Sequence, residues 1–397
     1  MKTILKGILR KAGLEINRRD PRDPRYEVVS LRPAVAVQGN ILLSYRTKPF
    51  SLNEDSQEMN AHYCNWQCLQ MARTFLHLGY CVDVISWLND RFEPKKDYTV
   101  FIDVQSNLER IGPQLNRDCV KIFHIIWAHW MFHNTAEYQR CLSLQQRRGV
   151  SLKPKRQLEP ARTIELADCA AVSGNEFTMD TYKYTAVEKP MYRMPVSAQA
   201  QYPWPEEKEF ETCQKNFLWF GGYGFVHKGL DLVLEAFSEM PDHHLYVCGP
   251  VTMEKDFEQA FHKELYQTPN IHTFTGWIDV CSPSFLEITN KCVGLIYTSC
   301  SESSAGSVIN CMHAGLVPLV SYESGVDVND FGFILKDCSL DTIRNTVQMV
   351  SSLGGKELKR LARQTWEFAR GYHTKESFDT EYLRIAKTVI GYHASKG

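Results

Sequence analysis

Three stretches of this chain place reactive side chains where a strand-like run gives way to a helix-like one. The first is Phe220-Gly-Gly-Tyr-Gly-Phe-Val-His-Lys-Gly229. Glycines there let backbone N–H groups approach an anion, the helix start adds positive potential, and Lys228 adds a full charge, a combination that suits a diphosphate. Tight strand-to-helix turns need glycine for purely structural reasons as well, and the Walker spacing GxxxxGK[ST] does not occur. The second stretch is Tyr297-Thr-Ser-Cys-Ser-Glu-Ser-Ser-Ala-Gly-Ser-Val-Ile-Asn310. Its small residues leave the backbone open to a ligand. Glu302 stands just before a helix start, where it serves either a ligand or the helix terminus itself. Asn310 falls one or two turns inside that helix. The third feature is His129, just past the run Val120 to Trp127, where an acid, a base or a sugar-contacting group would project into a cleft. Trp127 and Trp130 beside it read as a stacking wall for a sugar or as core.

The elements that must position these groups alternate. Asn40–Tyr45, Cys81–Ser86, Tyr98–Asp103, Val120–Trp127, Asp168–Ser173 and Met191–Pro195 read as strands, with a helix over Asn60–Leu78 that Gly79 ends. Ala198 to Cys213, with Pro203, Pro205 and a run of Glu, reads as an interdomain linker. The alternation restarts with strands Asn216–Phe220, His244–Cys248, Ile271–Phe274, Val293–Tyr297 and Val317–Val320, a helix marked by Leu230, Val233, Leu234 and Phe237, and a final helix over Glu357–Tyr392. Strands joined by crossover helices give parallel sheets covered on both faces. The fold class expected is therefore α/β, with two tandem Rossmann-like domains facing a cleft.

The chain has 397 residues, 45 Lys plus Arg against 46 Asp plus Glu, and a net charge of −1, which argues against a dedicated nucleic-acid binder. No apolar run reaches the ~18 residues of a membrane span, and the first residues do not read as a secretion signal. The thirteen Cys are scattered without a CxxC pair, as expected of free thiols in a reducing cytoplasm. Residues 1–19 stand apart. Ile4, Leu5, Ile8, Leu9 and Ala12 recur at helical spacing, and six Lys or Arg against Glu15 give +5. Such an arm reads either as a peripheral membrane contact at the inner face of a membrane or as a packing segment. Residues 18–33, with Pro21, Pro24 and Pro33, read as a linker.

Several segments resemble family 4 glycosyltransferases of the GT-B fold. They are Lys228-Gly229 followed by LDLVLEAF, Val247-Cys-Gly249, Asn270-Ile-His-Thr-Phe-Thr-Gly276, and the Glu302 segment running on to His313-Ala-Gly-Leu-Val-Pro-Leu-Val320. The N-terminal half is similar to a bacterial branch of the family in Ala128-His-Trp130, Ala136-Glu-Tyr-Gln-Arg140, Arg147-Arg-Gly149, Ser173-Gly-Asn175 and Thr181-Tyr182. The resemblance covers roughly residues 38–385 and implies a retaining hexosyltransferase that uses no cofactor and takes a UDP- or GDP-linked nucleotide-sugar donor; no Asp-x-Asp triplet occurs, so metal independence is expected. The acceptor implied is a glycan, a lipid-linked glycan or a protein, in surface polysaccharide or glycoconjugate synthesis. With the arm and linker over 1–33, the chain divides into an acceptor-side domain over 34–200, a nucleotide-sugar domain over 201–375, and a C-terminal helix over 376–397 expected to cross back.

The resemblance also implies roles. Lys228 and the amides of Gly221 and Gly222 would hold the diphosphate. Glu302 would contact donor-sugar hydroxyls, and Ser303, Ser304 and Gly306 would offer N–H groups near sugar and phosphate. Trp277 and Ile278 would touch the base, and His129 would contact the donor sugar or the acceptor. Two positions depart from the family pattern. Asn310 stands where a second Glu usually grips the ribose, and an amide still bonds hydroxyls but more weakly. Tyr223 stands where an Arg usually supplies a second charge on the diphosphate, which leaves that charge to an Arg or Lys elsewhere. The departures keep a second reading open, a catalytically silent GT-B protein that binds nucleotide-sugar or serves as a scaffold.

Overall fold

The structure, a computed structural model, describes residues 23–183 and 188–396. The basic segment 1–19 lies outside the described residues. Two sheets organise the chain. The first runs in the order β1-β3-β2-β4-β5-β6-β7, built from Val28–Leu31, Gly39–Tyr45, Tyr80–Ser86, Val100–Asp103, Val120–Ile125, Cys169–Ser173 and Met191–Met194 for β1 to β7. The second runs β10-β9-β8-β11-β12-β13, built from Asn216–Phe220, His244–Cys248, Ile271–Phe274, Gly294–Tyr297, Val317–Ser321 and Phe333–Leu335 for β8 to β13. Every pairing is parallel except that of β1 with β3. The central strands are buried on both faces, which is why Ile41-Leu-Leu43 and Leu295-Ile296 are continuous apolar runs and do not alternate.

Strand order reverses between β2 and β4 in the first sheet and between β8 and β11 in the second. Ligands of open α/β sheets bind outside the carboxyl ends of the strands at these reversals. Both glycine- and serine-rich stretches leave the second reversal, one after Phe220 and one after Tyr297.

The helices that matter for the site are α1 (Tyr63–His77), α2 (Trp130–Arg148), α3 (Leu230–Ser238), α4 (Gly306–His313), α5 (Gly355–Tyr372) and α6 (Lys375–Lys396). Gly79 at φ +88 follows α1, and Gly149 at φ +68 ends α2 in the left-handed conformation that favours glycine. The expected helix from Asn60 begins only at Tyr63, because His62 takes an extended backbone and caps it. The expected helix over Glu357–Tyr392 is two helices. Thr374 breaks it, accepting from the Ser377 N–H at 3.0 Å to start α6 afresh. Phe378, Tyr382, Ile385 and Val389 of α6 then pack into the core of the first sheet beside α1.

Two stretches read as linkers are structured. Within 18–33, Val28–Leu31 forms β1, an edge strand antiparallel to β3, with the Ser30 hydroxyl donating to Asp83 at 2.8 Å. Proline is tolerated beside an edge strand, so its presence does not mark this stretch as a linker. The stretch Ala198–Cys213 is packed: Trp204 stacks on Phe210, and buried Lys208 donates to the Thr289 carbonyl at 3.0 Å. All thirteen cysteines are free thiols. No helix among the described residues is long and apolar enough to cross a membrane.

Candidate functional site

A cavity of about 270 Å³ opens between the carboxyl ends of the two sheets. The close approach of two loops makes its floor. Gly229, at φ +72, lies so near Thr298 that any β-carbon would collide with it, and the Thr298 hydroxyl donates to the Gly229 carbonyl at 3.0 Å. That contact brings Lys228, at the end of the first loop, against Glu302, in the second. Lys228 Nζ donates to Glu302 Oε1 at 2.6 Å and to the Tyr297 hydroxyl at 2.9 Å, and the Tyr297 hydroxyl donates to the same carboxylate oxygen at 3.1 Å. Both charged side chains are buried.

Burial alone would raise the Glu302 pKa. The charges of Lys228 and Arg156, together with the Lys228 hydrogen bond, outweigh it and hold this carboxyl well below the usual range. Burial also depresses the Lys228 ammonium; Glu302 opposes that and Arg156 adds to it. One carboxylate is thus shared by two cations.

Beyond Glu302 the chain enters α4, whose capping residue Ala305 has no side-chain cap. The first N–H groups of a helix lack intrahelical partners, so an uncapped terminus facing a cavity is a ready anion site. Ser303, Ser304 and Gly306 line the cavity here, and the Tyr63 ring lies against Gly306. Asn310 follows one turn on. Its amide donates to the Gly306 carbonyl and to Gln199 Oε1, both at 2.8 Å, which leaves Oδ1 without a protein partner.

Gly221, Gly222 and Tyr223 line the opposite wall, with Trp277 and Ile278 at the mouth, Trp277 being 58% exposed. The amide of Gly221 is not free: it donates to the Cys248 carbonyl at 3.1 Å, extending the β8–β9 ladder. Of the two glycine amides expected at an anion, that leaves Gly222.

His129 is not brought to this cavity. It caps α2, its Nδ1 accepting from the Met131 N–H at 3.4 Å, and its ring packs edge-on against Tyr182 in a separate small recess beside Trp130. The position after β5 was right, but the chain turns into α2 immediately, so the ring is spent on the helix terminus.

The N-terminal wall is made by residues that sequence reasoning missed. Arg46 follows β2, its guanidinium 5.2 Å from the centre of the Trp87 ring, and donates to Asn65 at 3.1 Å. His62 caps α1, its Nδ1 accepting from the Cys64 N–H at 3.2 Å, which places the ring proton on Nε2. Solvent reaches this ring inside the cavity, yet the enclosing walls first, and then Arg46, Arg156 and Lys228, push its pKa down. Arg156, with its guanidinium 5.0 Å from the centre of the Trp127 ring, stands 3.8 Å from Glu302 Oε2. None of the three belongs to a local motif. A buried pair, His133 and His227, lies behind the site, their rings 4.7 Å apart and both bonded to Ser301.

Comparison with known proteins comes from structure. No family model matches the sequence, and no curated protein matches it either. Among solved structures, sucrose-phosphate synthase from Thermosynechococcus elongatus superposes over 89% of this chain and 99% of its own, with a TM-score of 0.61 at 13% identity. The Anabaena protein HepE, solved with UDP and glucose, matches over 88% of this chain and 99% of its own, with a TM-score of 0.55 at 11% identity. The fold is GT-B. A TarM variant from S. aureus, solved with fondaparinux, alpha-GlcNAc-glycerol and UDP, matches over 72% of this chain with a TM-score of 0.51 at 11% identity, and this chain spans about half of TarM's length (54%). In GT-B terms the cavity lies in the cleft between the two Rossmann-like units, at both strand-order reversals.

Proposed function

We propose that this GT-B protein transfers a glycosyl group from a UDP- or GDP-linked sugar, with retention of anomeric configuration, to a glycan, lipid-linked or protein acceptor. The observation that carries the reading is the buried Lys228–Glu302 contact at 2.6 Å beside the uncapped start of α4. Cleaving an anomeric bond leaves charge on the departing diphosphate. Lys228, the Gly222 amide and the first N–H groups of α4 are fixed donors for that charge. Once phosphate engages Lys228, Glu302 is released to accept from donor-sugar hydroxyls. Trp277 and Ile278 would flank the base, and Asn310 would meet a ribose hydroxyl. A cleft between two units excludes water that would hydrolyse the donor. Solved relatives in fold that hold UDP or UDP-glucose support the reading.

The deciding experiment is a thermal-shift screen over UDP, GDP, ADP and their sugars, followed by donor hydrolysis with the best of them. The expected result is stabilisation by one base and slow nucleotide release that Glu302→Ala abolishes. Because of Asn310 and Tyr223, the rival is a silent nucleotide-sugar binder; stabilisation without turnover across a broad acceptor panel would establish that rival. We further propose that residues 1–19 bring a cytoplasmic enzyme to an anionic membrane surface, with each Lys or Arg contributing about 1 kcal/mol. Flotation with anionic liposomes that persists in a chain starting near residue 30 would remove that role.

A further inference from the structure

Charge arithmetic at the diphosphate position exposes a deficit. Lys228 and Glu302 are bonded to each other and sum to zero. Arg46, in the same cavity, is engaged by Asn65 and Trp87, so without another cation only the N–H groups of α4 and Gly222 would favour a doubly ionised ligand there. Tyr223, which lines the same wall, carries no charge.

We infer that Arg156, carried by the β5–β6 connection, whose residues Cys141 and Leu144 pack into the core of the second sheet, is the second cation of the diphosphate site. This rests on the donor reading above and says which side chain makes that reading possible in this chain.

Three observations carry it. First, the segment bearing Arg156 is fastened by buried polar groups. The Arg156 N–H donates to both oxygens of Glu137, at 3.0 and 3.1 Å, and the Lys155 N–H and the Gln157 side chain add bonds to the same carboxylate at 2.9 and 2.6 Å. His133 Nε2 closes the far side by donating to the Arg156 carbonyl at 2.7 Å. Glu137 is 1% exposed, and a carboxylate at that depth is tolerated only because it is bonded this fully. Second, the glycine loop makes room for the arm. Gly224 has φ +90, and a β-carbon there would come within 2.6 Å of Arg156 Cγ. A glycine of the nucleotide-side turn is therefore shaped to a side chain distant in sequence. Third, the guanidinium has work to spare. Among the described residues its protein contacts are the Trp127 face and the 3.8 Å approach to Glu302, too long for a hydrogen bond. Its planar set of N–H donors, held in the cavity beside Lys228, matches two phosphate oxygens.

Donor binding would then be bipartite. Lys228 and Arg156 come from segments far apart in sequence that Arg147–Asp231 and Lys155–Asp256 already hold together, and in the free protein Glu302 stands in for the phosphate between them.

The experiment measures UDP, GDP and ADP binding by calorimetry to the full chain, and the matching nucleosides by ligand-observed NMR. With the best-bound diphosphate, Arg156→Gln is expected to weaken binding about tenfold or more while nucleoside binding stays within twofold, and Arg156→Lys is expected to fall between. Tyr223→Arg added to Arg156→Gln should recover most of the loss, which a damaged loop would not allow. No binding of any diphosphate by the parent overturns the donor reading and this inference with it. Diphosphate binding that Arg156→Gln leaves within twofold, or that falls in step with nucleoside binding and is not recovered by Tyr223→Arg, overturns this inference alone.

Discussion

The two walls of the cavity are built differently. The C-terminal wall comes from two contiguous strand–turn–helix segments, Phe220–Leu230 and Tyr297–Asn310, each leaving the same strand-order reversal. Its groups are fixed by backbone, through the Gly229–Thr298 approach and the α4 terminus. The N-terminal wall comes from single side chains at three separate places: Arg46 after β2, His62 ahead of α1, and Arg156 beyond α2. Each has its own anchor, namely the Trp87 ring, the Cys64 backbone N–H and the Glu137 carboxylate. A site for a shared, charged fragment suits a rigid backbone cradle. A wall of individually anchored side chains can change ligand specificity one residue at a time.

The sharpest way to break this comparison is at Lys228. If the C-terminal wall holds the developing charge, Lys228→Ala should lower turnover by about 10²–10³-fold, the size of effect seen when one preorganised donor is removed. Binding of the nucleoside diphosphate should fall by roughly 1.5–3 kcal/mol, because the same charge meets the free product. Calorimetry with the nucleotide that stabilises the parent most checks the second number. Unchanged affinity would take Lys228 out of the site and leave the C-terminal wall as mere packing.

Buried carboxylates sharpen the contrast. Glu302 sits among cations and its pKa is depressed. Asp103, at the carboxyl end of β4, is fully buried, bonds the Leu108 N–H at 2.7 Å and has its other oxygen unpartnered. Burial raises its pKa from 3.8 to about 6, against the pull of Ser44 and nearby backbone N–H groups. The folded value lies above the unfolded one, so its contribution is complete below about pH 4 and is lost as pH rises through about 6. Linkage puts that loss on the order of 2–3 kcal/mol. Asp103→Asn cannot ionise, so the stability gap between parent and variant should narrow by that amount from pH 4 to pH 7, read from urea unfolding. A gap independent of pH would show that Asp103 does not titrate there. For Glu302 the sign is opposite: its stabilisation is complete above its unfolded value near 4.5 and fades only as pH falls through its lower folded value.

The same contrast explains what was legible in the sequence. The parallel sheets, the reversal-point loops, and Lys228 with Glu302 follow from apolar runs and from glycine, lysine and acid at fixed short offsets. Arg156 did not, because nothing adjacent in sequence marks it. Its anchor Glu137 is nineteen residues back, and its glycine cradle, Gly224, lies in the loop after β8. Pro21, Pro24 and Pro33 hid the edge strand at Val28, and the prolines and acids of 198–213 hid a packed joint, since local composition does not report what Trp204 and Lys208 touch. Gly221 lines the cavity, but its amide is committed to the Cys248 carbonyl, which only the register of β8 on β9 reveals.

The histidines give the finest test, because both candidates do the same structural job. His62 caps α1 and His129 caps α2, each through Nδ1. Only His62 presents Nε2–H to the cavity; His129 faces Tyr182 in its own recess. Asn is among the best capping residues, so substituting it keeps the cap while shortening the reach. We expect His62→Asn to reduce turnover about tenfold with little change in melting temperature, as loss of one hydrogen bond to substrate would. His129→Asn should stay within about twofold. Because the enclosing cavity walls and three nearby cations push the His62 pKa down, it acts as a fixed donor and not as a titrating base, so its removal should not shift a pH–rate profile between pH 5 and 8. The reverse ranking, with His129 the sensitive position, would mean that the cleft rearranges on substrate binding to bring α2 forward. The N-terminal wall described here would then belong only to the free protein.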